Sequence, residues 1–330
     1  MSGLFSFVLK RFLSGIVVVW AIVTVVFLLE HAPGAPDPIR GILGAHFTFG
    51  NYRSLLHQYG LDVPLWQQYL NYLGVSPMLS WFGVHFGHGP ALTGILEGNF
   101  GYSYYQVGTP VWSLMSDGIP VTLKLGLYAL FVSLLLGIPI GLVSAIKQNS
   151  WLDHLLQGTS VLLYGIPTFV LAPTLQVIFT IQNQWLPEHG WGDTPEQIVL
   201  PVAAYSAGLF GYFAKSFRSF MLEVLQQDYI RTARAKGLRP SVIVWLHAMK
   251  NTLLPLASIV GPTIAYLIVG AFIIEEFFGI PGIAHVTVQS VFQGDYGVIE
   301  GATIALAIFV VSVNMLTDIF YSLVDPRVRL

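Results

Sequence analysis

The feature that most constrains this chain is a recurring pattern of uncharged apolar runs, each closed by charged residues. A bilayer hydrocarbon core about 30 Å thick is crossed by roughly 20 apolar residues in a helix. Residues 12–29 are uncharged between Arg11 and Glu30, 125–146 between Lys124 and Lys147, and the stretch after Asp153 stays uncharged past Ile181. Residues 198–214, 251–274 and 301–317 repeat the pattern, the last continuing toward Val324. This predicts six spans and an all-α membrane protein. Composition agrees: only 10% of residues are charged and 54% are hydrophobic, against about 25% charged in soluble domains. Lys10 and Arg11 precede the first run as they would in a signal peptide. That run is too long, however, and no A-x-A-like site closes it, so it reads as a retained helix.

The basic residues set the orientation. In a six-span chain Lys10, Arg11, Lys147, Lys215, Arg218, Arg231, Arg234, Lys236, Arg239, Lys250, Arg327 and Arg329 fall on one side. Arg40 and Arg53 fall on the other, with Lys124 near a boundary. Segments 182–197 and 275–300 contain no Lys or Arg. The positive-inside rule then places both termini in the cytoplasm. The expected organisation is a cytoplasmic tip and first helix over 1–30, an external segment over 31–117, a core over 118–324 and a cytoplasmic tail over 325–330. A net charge of −2 gives no reason to expect nucleic-acid binding, and the absence of cysteine excludes disulfides, Cys-ligated zinc and thiol nucleophiles.

Segment 31–117 is uncharged from Val63 to Leu96, so a seventh span must be weighed. Gln67, Gln68, Asn71, Pro77, His85, His88 and Pro90 argue against it. The Pro64-Leu-Trp-Gln-Gln-Tyr-Leu-Asn-Tyr-Leu73 run predicts a short amphipathic helix lying on a membrane surface. Within the spans, Gly137-Ile-Pro139-Ile-Gly141, Gly165-Ile-Pro167 and Gly261-Pro262 are helix breakers. Two readings of Pro139, Pro167 and Pro262 fit: ordinary packing, or kinks that shape a solute path.

Residues 221–252 form the one large basic inside loop. Asp228 is a candidate N-cap, Tyr229 to Lys236 a short helix, and Gly237 its stop. A second short helix starting near Pro240 would present Val242, Trp245, Leu246 and Met249 on one apolar face. Such an element suits docking to a partner; it equally suits binding lipid head groups.

The order of residues adds to this. Asp228-Tyr-Ile-Arg-Thr-Ala-Arg-Ala-Lys-Gly237, followed by His247-Ala-Met-Lys-Asn-Thr-Leu-Leu-Pro255, closely resembles the cytoplasmic "EAA" loop of ABC importer permeases. It resembles in particular the dipeptide, oligopeptide and nickel branch, which has Arg at the place of Arg231. Further resemblance lies in Gly60-Leu-Asp-Val-Pro-Leu-Trp-Gln-Gln-Tyr69, Gly98-Asn-Phe-Gly-Tyr-Ser103, Ser150-Trp-Leu-Asp153, Ile166-Pro-Thr-Phe-Val170, Phe278-Gly-Ile-Pro-Gly282 and Asp325-Pro-Arg-Val-Arg329. Asn99 departs from the usual Asp, and 74–93 looks like an insertion.

The resemblance implies a type I permease fold with six transmembrane helices and the import of di- or oligopeptides, with nickel complexes or another small solute as alternatives. It implies a second homologous permease, two ATP-binding subunits that hold ATP and Mg, and an extracytoplasmic substrate-binding protein. Asp228, Tyr229, Arg231, Thr232, Ala233, Arg234, Ala235, Lys236, Gly237 and His247 would form the ATPase-coupling loop. No lysine follows a glycine, so the chain has no phosphate loop of its own and is expected to be a non-catalytic subunit without a bound cofactor. His85-Phe-Gly-His88 has two histidines and no neighbouring acid, a poor metal site. A gradient-driven transporter or channel is the rival class. It calls for ionisable groups deep in the spans, where only Asp318 qualifies.

Overall fold

The structure, a computed structural model, describes residues 2–34, 37–43, 48–75 and 94–324. Most of the 74–93 insertion, with His85 and His88, and the tail 325–330 lie outside the described residues. The chain is all-α; among the described residues the β pairing is one isolated antiparallel bridge, Tyr102 to Pro110.

The helices are α1 (Ser2–Glu30), α2 (Pro38–Leu43), α3 (Phe49–Gln58), α4 (Leu65–Leu73), α5 (Val111–Ser116), α6 (Gly118–Ile146), α7 (Trp151–Gly165) and α8 (Thr168–Gln176). They continue as α9 (Glu196–Leu225), α10 (Asp228–Ala235), α11 (Pro240–Val242), α12 (Met249–Phe278), α13 (Ile283–Gln293) and α14 (Tyr296–Val324). Five helical stretches are each long and apolar enough to cross a membrane: Ser6–Glu30, Val111–Ile146, Glu196–Leu225, Pro240–Phe278 and Tyr296–Ile319. The sixth is a broken span, α7 followed by α8, bent by 99°. The break follows from Pro167, which pushes its predecessor out of the helical region. Ile166 accordingly sits at φ −78°, ψ 118°. Several helices outrun the uncharged runs. Lys124 lies inside α6 and Lys215 inside α9, both exposed, because a lysine stem can lie along apolar surface while its ammonium reaches a polar layer.

The chain divides into two compact units. One comprises Val121–Pro281 with the far part of α14, from Val313 onward. Its centre is α9, which packs against α7, α8 and α12 and buries Phe213, Phe217 and Met221 completely. Glycines allow the closest approaches. A Cβ at Gly141 would stand 2.6 Å from the Ala214 carbonyl, and one at Gly211 would stand 2.2 Å from the Ser160 carbonyl. The glycines of the Gly137–Gly141 motif thus face α9, while Pro139 between them is exposed. Glu275 is wholly buried and accepts a 2.5 Å hydrogen bond from Thr122. Gly211→Leu should wedge α7 from α9 and destabilise the unit by about 3 kcal/mol. Gly158→Leu, where an added Cβ meets nothing within 4 Å, should be neutral or better. Thermal unfolding of both variants in detergent compares them, and equal midpoints would refute the close-packing account.

The other unit comprises Phe5–Pro120 and Gly282–Ser312. Val111, Met115, Ile283, Val298 and Ala302 form one apolar core, and Ile39, Leu43 and Tyr59 a second. Asp295, itself buried, accepts from the Ser103 hydroxyl and, at 2.9 Å, from the Tyr104 amide. The predicted helix at 64–73 forms as α4, stopped by Gly74 at φ +77°. Its outward side is apolar and its buried side polar. Gln67 and Asn71 are buried, while Leu65 and Trp66 are exposed. Thr24 of α1 and Tyr69 share a hydrogen bond of 2.6 Å, and His31, just past α1, and Gln68 one of 3.1 Å.

Candidate functional site

The basic loop folds into α10, a single exposed helix seated on the start of the long helix that follows. Asp228 is not the N-cap. Gln227 holds that position with extended backbone (φ −67°, ψ 150°) and gives no side-chain cap, so Asp228 opens the helix at its first turn. There its carboxylate complements the helix dipole and pairs with Arg231 at 3.3 Å. Ile230 and Ala233, three residues apart, are the buried face. Tyr229, Arg231, Thr232, Arg234, Ala235 and Lys236 are exposed. Gly237 ends the helix at φ +74°. Its amide donates to the Arg234 carbonyl at 2.9 Å, and the Leu238 amide to the Ala233 carbonyl at 3.3 Å. An added Cβ at Gly237 would meet nothing within 4 Å. The demand for glycine is therefore conformational.

The expected second short helix is not a separate element. Helicity restarts at Pro240 and runs unbroken to Phe278 through a π-helical stretch, Ile243–Ala248. The apolar face expected at 242, 245, 246 and 249 is not the buried one: Trp245 is 65% and Leu246 67% exposed. The π geometry, with its i→i+5 pattern, instead buries Ile243 and Ala248, five residues apart. His247 is half-buried, and its carbonyl accepts from the Asn251 amide at 3.2 Å. The same Asn251 amide donates to the Tyr229 hydroxyl at 2.7 Å. Asn251 thereby ties α10 to the base of α12, a role that nothing in its sequence position signals. A groove of about 460 Å³ opens beside α10, lined by Ile146, Leu222, Leu225, Arg234, Leu238 and Ile243 among others.

A second cavity lies at mid-length of the long helices. It measures about 770 Å³ and is walled by the α7–α8 break, α9 and α12. Pro167 and Pro262 both line it; Pro139 does not. Tyr164, Tyr205, Tyr212 and Tyr266 contribute four phenol rings, and Thr168, Ser258 and Thr263 three hydroxyls. None of the described lining residues is charged. The Tyr205 hydroxyl donates to the Leu267 carbonyl. No group of three or more His, Cys, Asp or Glu side chains is placed to hold a metal among the described residues.

The long helix Pro240–Phe278 thus starts beside the basic helix α10 and lines the uncharged cavity along its middle. Residues 137–330 match the family of binding-protein-dependent transport system inner membrane components, and residues 4–126 match its N-terminal segment. The chain belongs to this family. It is a membrane-spanning permease of an ABC importer, a non-catalytic subunit whose ATP is hydrolysed by separate chains. The gradient-driven alternative falls with that finding. The permease is 34% identical over 326 residues to the dipeptide transport system permease protein DppB of Bacillus subtilis (strain 168), covering 98% of each chain. It is 32% identical to the oligopeptide transport system permease protein OppB of Haemophilus influenzae, covering 98% of this chain and 99% of that one. Among solved structures, the inward-facing MetNI methionine ABC transporter superposes with a TM-score of 0.55 at 18% identity, covering 64% of this chain and 96% of that chain. At that identity the likeness concerns the type I permease fold.

One further joint in the permease was not legible as such. Asp153 sits in the first turn of α7, behind the N-cap Ser150, whose hydroxyl accepts the Asp153 amide at 3.2 Å. Its carboxylate receives both Nε and Nη2 of Arg218 on α9, at 2.8 and 2.7 Å. It also accepts from the Asn149 amide at 2.9 Å and from the Ser144 hydroxyl on α6. The aspartate side chain is 3% exposed and the arginine 22%. Three helices of one unit therefore meet at a single carboxylate.

Proposed function

We propose that this permease passes short peptides across the cytoplasmic membrane and that α10 is the element through which a partner ATPase drives it. The observation that carries the reading is the continuous helix Pro240–Phe278. One end of it holds α10 through Asn251 and Tyr229. Its middle lines the uncharged cavity with Pro262 and Tyr266. Displacement of α10 by a partner would be carried to the cavity wall by a rigid rod. The relatives named for dipeptide and oligopeptide transport support the solute class, and a cavity without charged or metal-ligating walls suits a peptide better than a metal complex.

In this reading the partners are a second homologous permease, two ATPases that bind ATP and Mg, and an external binding protein. Asp228 to Gly237 and His247 belong to the coupling loop 221–252. Residues 31–117 lie outside and meet the binding protein, 118–324 form the core, and both termini are cytoplasmic. Copurification with mass spectrometry of partners and trapped solute tests the assembly. An ATPase, a second permease and a bound peptide are expected, and a preparation with no ATPase would refute the reading. The orientation has its own test in this cysteine-free chain. Single cysteines at the exposed positions Gln106 and Ser241 should react with an impermeant maleimide from opposite faces of the membrane. Reaction from the same face would overturn the six-span topology.

A further inference from the structure

We infer that the tyrosine-lined cavity is the solute-contacting surface of this permease and that it selects for solutes with no net charge, holding the peptide backbone through phenol hydroxyls. The inference rests on the peptide reading above and adds to it the residues and the discriminating property.

The cavity volume of about 770 Å³ is of the size that accepts a small organic molecule of a few linked units. The cavity lies at mid-length of α9 and α12. Tyr164 and Tyr266 are 55% and 66% exposed, and the Tyr212 ring stacks on that of Tyr164 at 5.9 Å between centroids. Their three hydroxyls have no hydrogen-bond partner among the described residues, unlike that of Tyr205, which is held by the Leu267 carbonyl. Three phenol hydroxyls are therefore uncommitted in an uncharged wall. A phenol hydroxyl both donates and accepts, so it can serve an amide N–H, an amide carbonyl, an ammonium or a carboxylate. Pro262 adds an acceptor, because a proline four residues on leaves the Ser258 carbonyl without its helical donor.

Such a surface can satisfy any peptide backbone and is indifferent to side-chain sequence. It cannot neutralise a surplus charge. A zwitterionic peptide brings its own counter-charge, whereas a net cation or anion would be stripped of water with no partner in the wall. Discrimination by the permease then follows net charge, and comes in addition to whatever the binding protein prefers.

The test uses the full transporter in proteoliposomes, with its binding protein saturated, and measures uptake of Ala-Ala-Ala, Ala-Lys-Ala and Ala-Glu-Ala. Comparing each variant with the wild type cancels the binding protein's own preference, since that chain is unchanged. Ser258→Asp should raise the Ala-Lys-Ala to Ala-Glu-Ala uptake ratio about tenfold. The neutral Ser258→Asn should leave it unmoved. Tyr266→Glu at an exposed position provides a second carboxylate should Ser258→Asp fail to assemble. The triple Tyr164→Phe, Tyr212→Phe, Tyr266→Phe variant keeps the rings and should lower uptake of all three peptides about tenfold with normal ATPase association. An unmoved ratio in both carboxylate variants, or full uptake in the triple variant, defeats this inference while leaving the peptide reading intact. A wild-type assembly that takes up none of the three peptides defeats the peptide reading and this inference with it.

Discussion

Replacing Asp153 with alanine is expected to destabilise the permease by about 3–5 kcal/mol, the range for a buried pair that loses one partner. The size follows from what is left behind. The Arg218 side chain is only 22% exposed, and its two charge-assisted bonds at 2.8 and 2.7 Å vanish together. The Ser144 hydroxyl and the Asn149 amide lose the same acceptor. Arg218→Met should destabilise less, because the remaining carboxylate keeps its donors from Ser144 and Asn149. The double variant Asp153→Leu, Arg218→Met should recover much of the loss, since an apolar pair of similar volume avoids desolvating either charge. Unfolding in detergent, followed by heat or denaturant, measures all three. Because the pair is buried, the loss should change little with ionic strength. A single-variant loss under about 1 kcal/mol would mean that the joint contributes no more than an exposed ion pair. Arg231→Ala, which breaks an exposed pair with side chains 71% and 95% accessible, is the matching control, expected within about 0.5 kcal/mol of wild type.

That joint illustrates where sequence reasoning reaches and where it stops. Spans were legible because lipid permits few signals: a helix of sufficient length must be apolar, and charges collect at its ends. The same logic treats Asp153, Arg218 and Glu275 as markers of ends. Pairing between residues 65 positions apart, as in Asp153 and Arg218, leaves no local trace, and neither does the burial of Glu275. The proline signal was legible only in part: Pro167 displaces Ile166 and ends α7, whereas Pro139 and Pro262, read equally as helix breakers, lie inside continuous helices. The π stretch at 243–248 was not legible, since no residue type in it demands the i→i+5 bonding that buries Ile243 and Ala248 together. Gln67 and Asn71 look solvent-facing in the sequence, yet both are buried, which no local pattern signals. In α10, Gly237 was legible from its place after a short helix, whereas the tie made by Asn251 to Tyr229, 22 positions away, depends on the approach of two helices.

Gly237→Val should leave the permease inserted and folded but abolish coupled transport. The position holds φ +74°, a region that a β-branched residue enters only with strain of order 1–3 kcal/mol. No neighbouring atom obstructs a Cβ there, so relief can come from rotating the backbone. Rotation would break the two closing bonds from Gly237 and Leu238 and swing the exposed face of α10 away from its partner. Gly237→Asn, which tolerates the left-handed region, should retain most of the activity, and this separates a backbone requirement from a side-chain one. Arg231→Glu and Arg234→Glu address the surface directly. Both side chains are exposed, so reversal should barely alter stability, yet it removes favourable charge or adds repulsion at a docking face. The expected results are reduced ATPase copurification, or normal association with hydrolysis no longer stimulated by solute. Asn251→Ala probes the next link. It should leave α10 able to bind the ATPase while weakening the transmission of its movement to α12, so hydrolysis continues and uptake falls. A lipid-binding role for the same basic surface makes a different forecast: graded effects that track the anionic lipid content of the vesicles, with ATPase association untouched. Normal association, normal solute-stimulated hydrolysis and normal uptake in Gly237→Val and in both charge reversals would remove α10 from the mechanism.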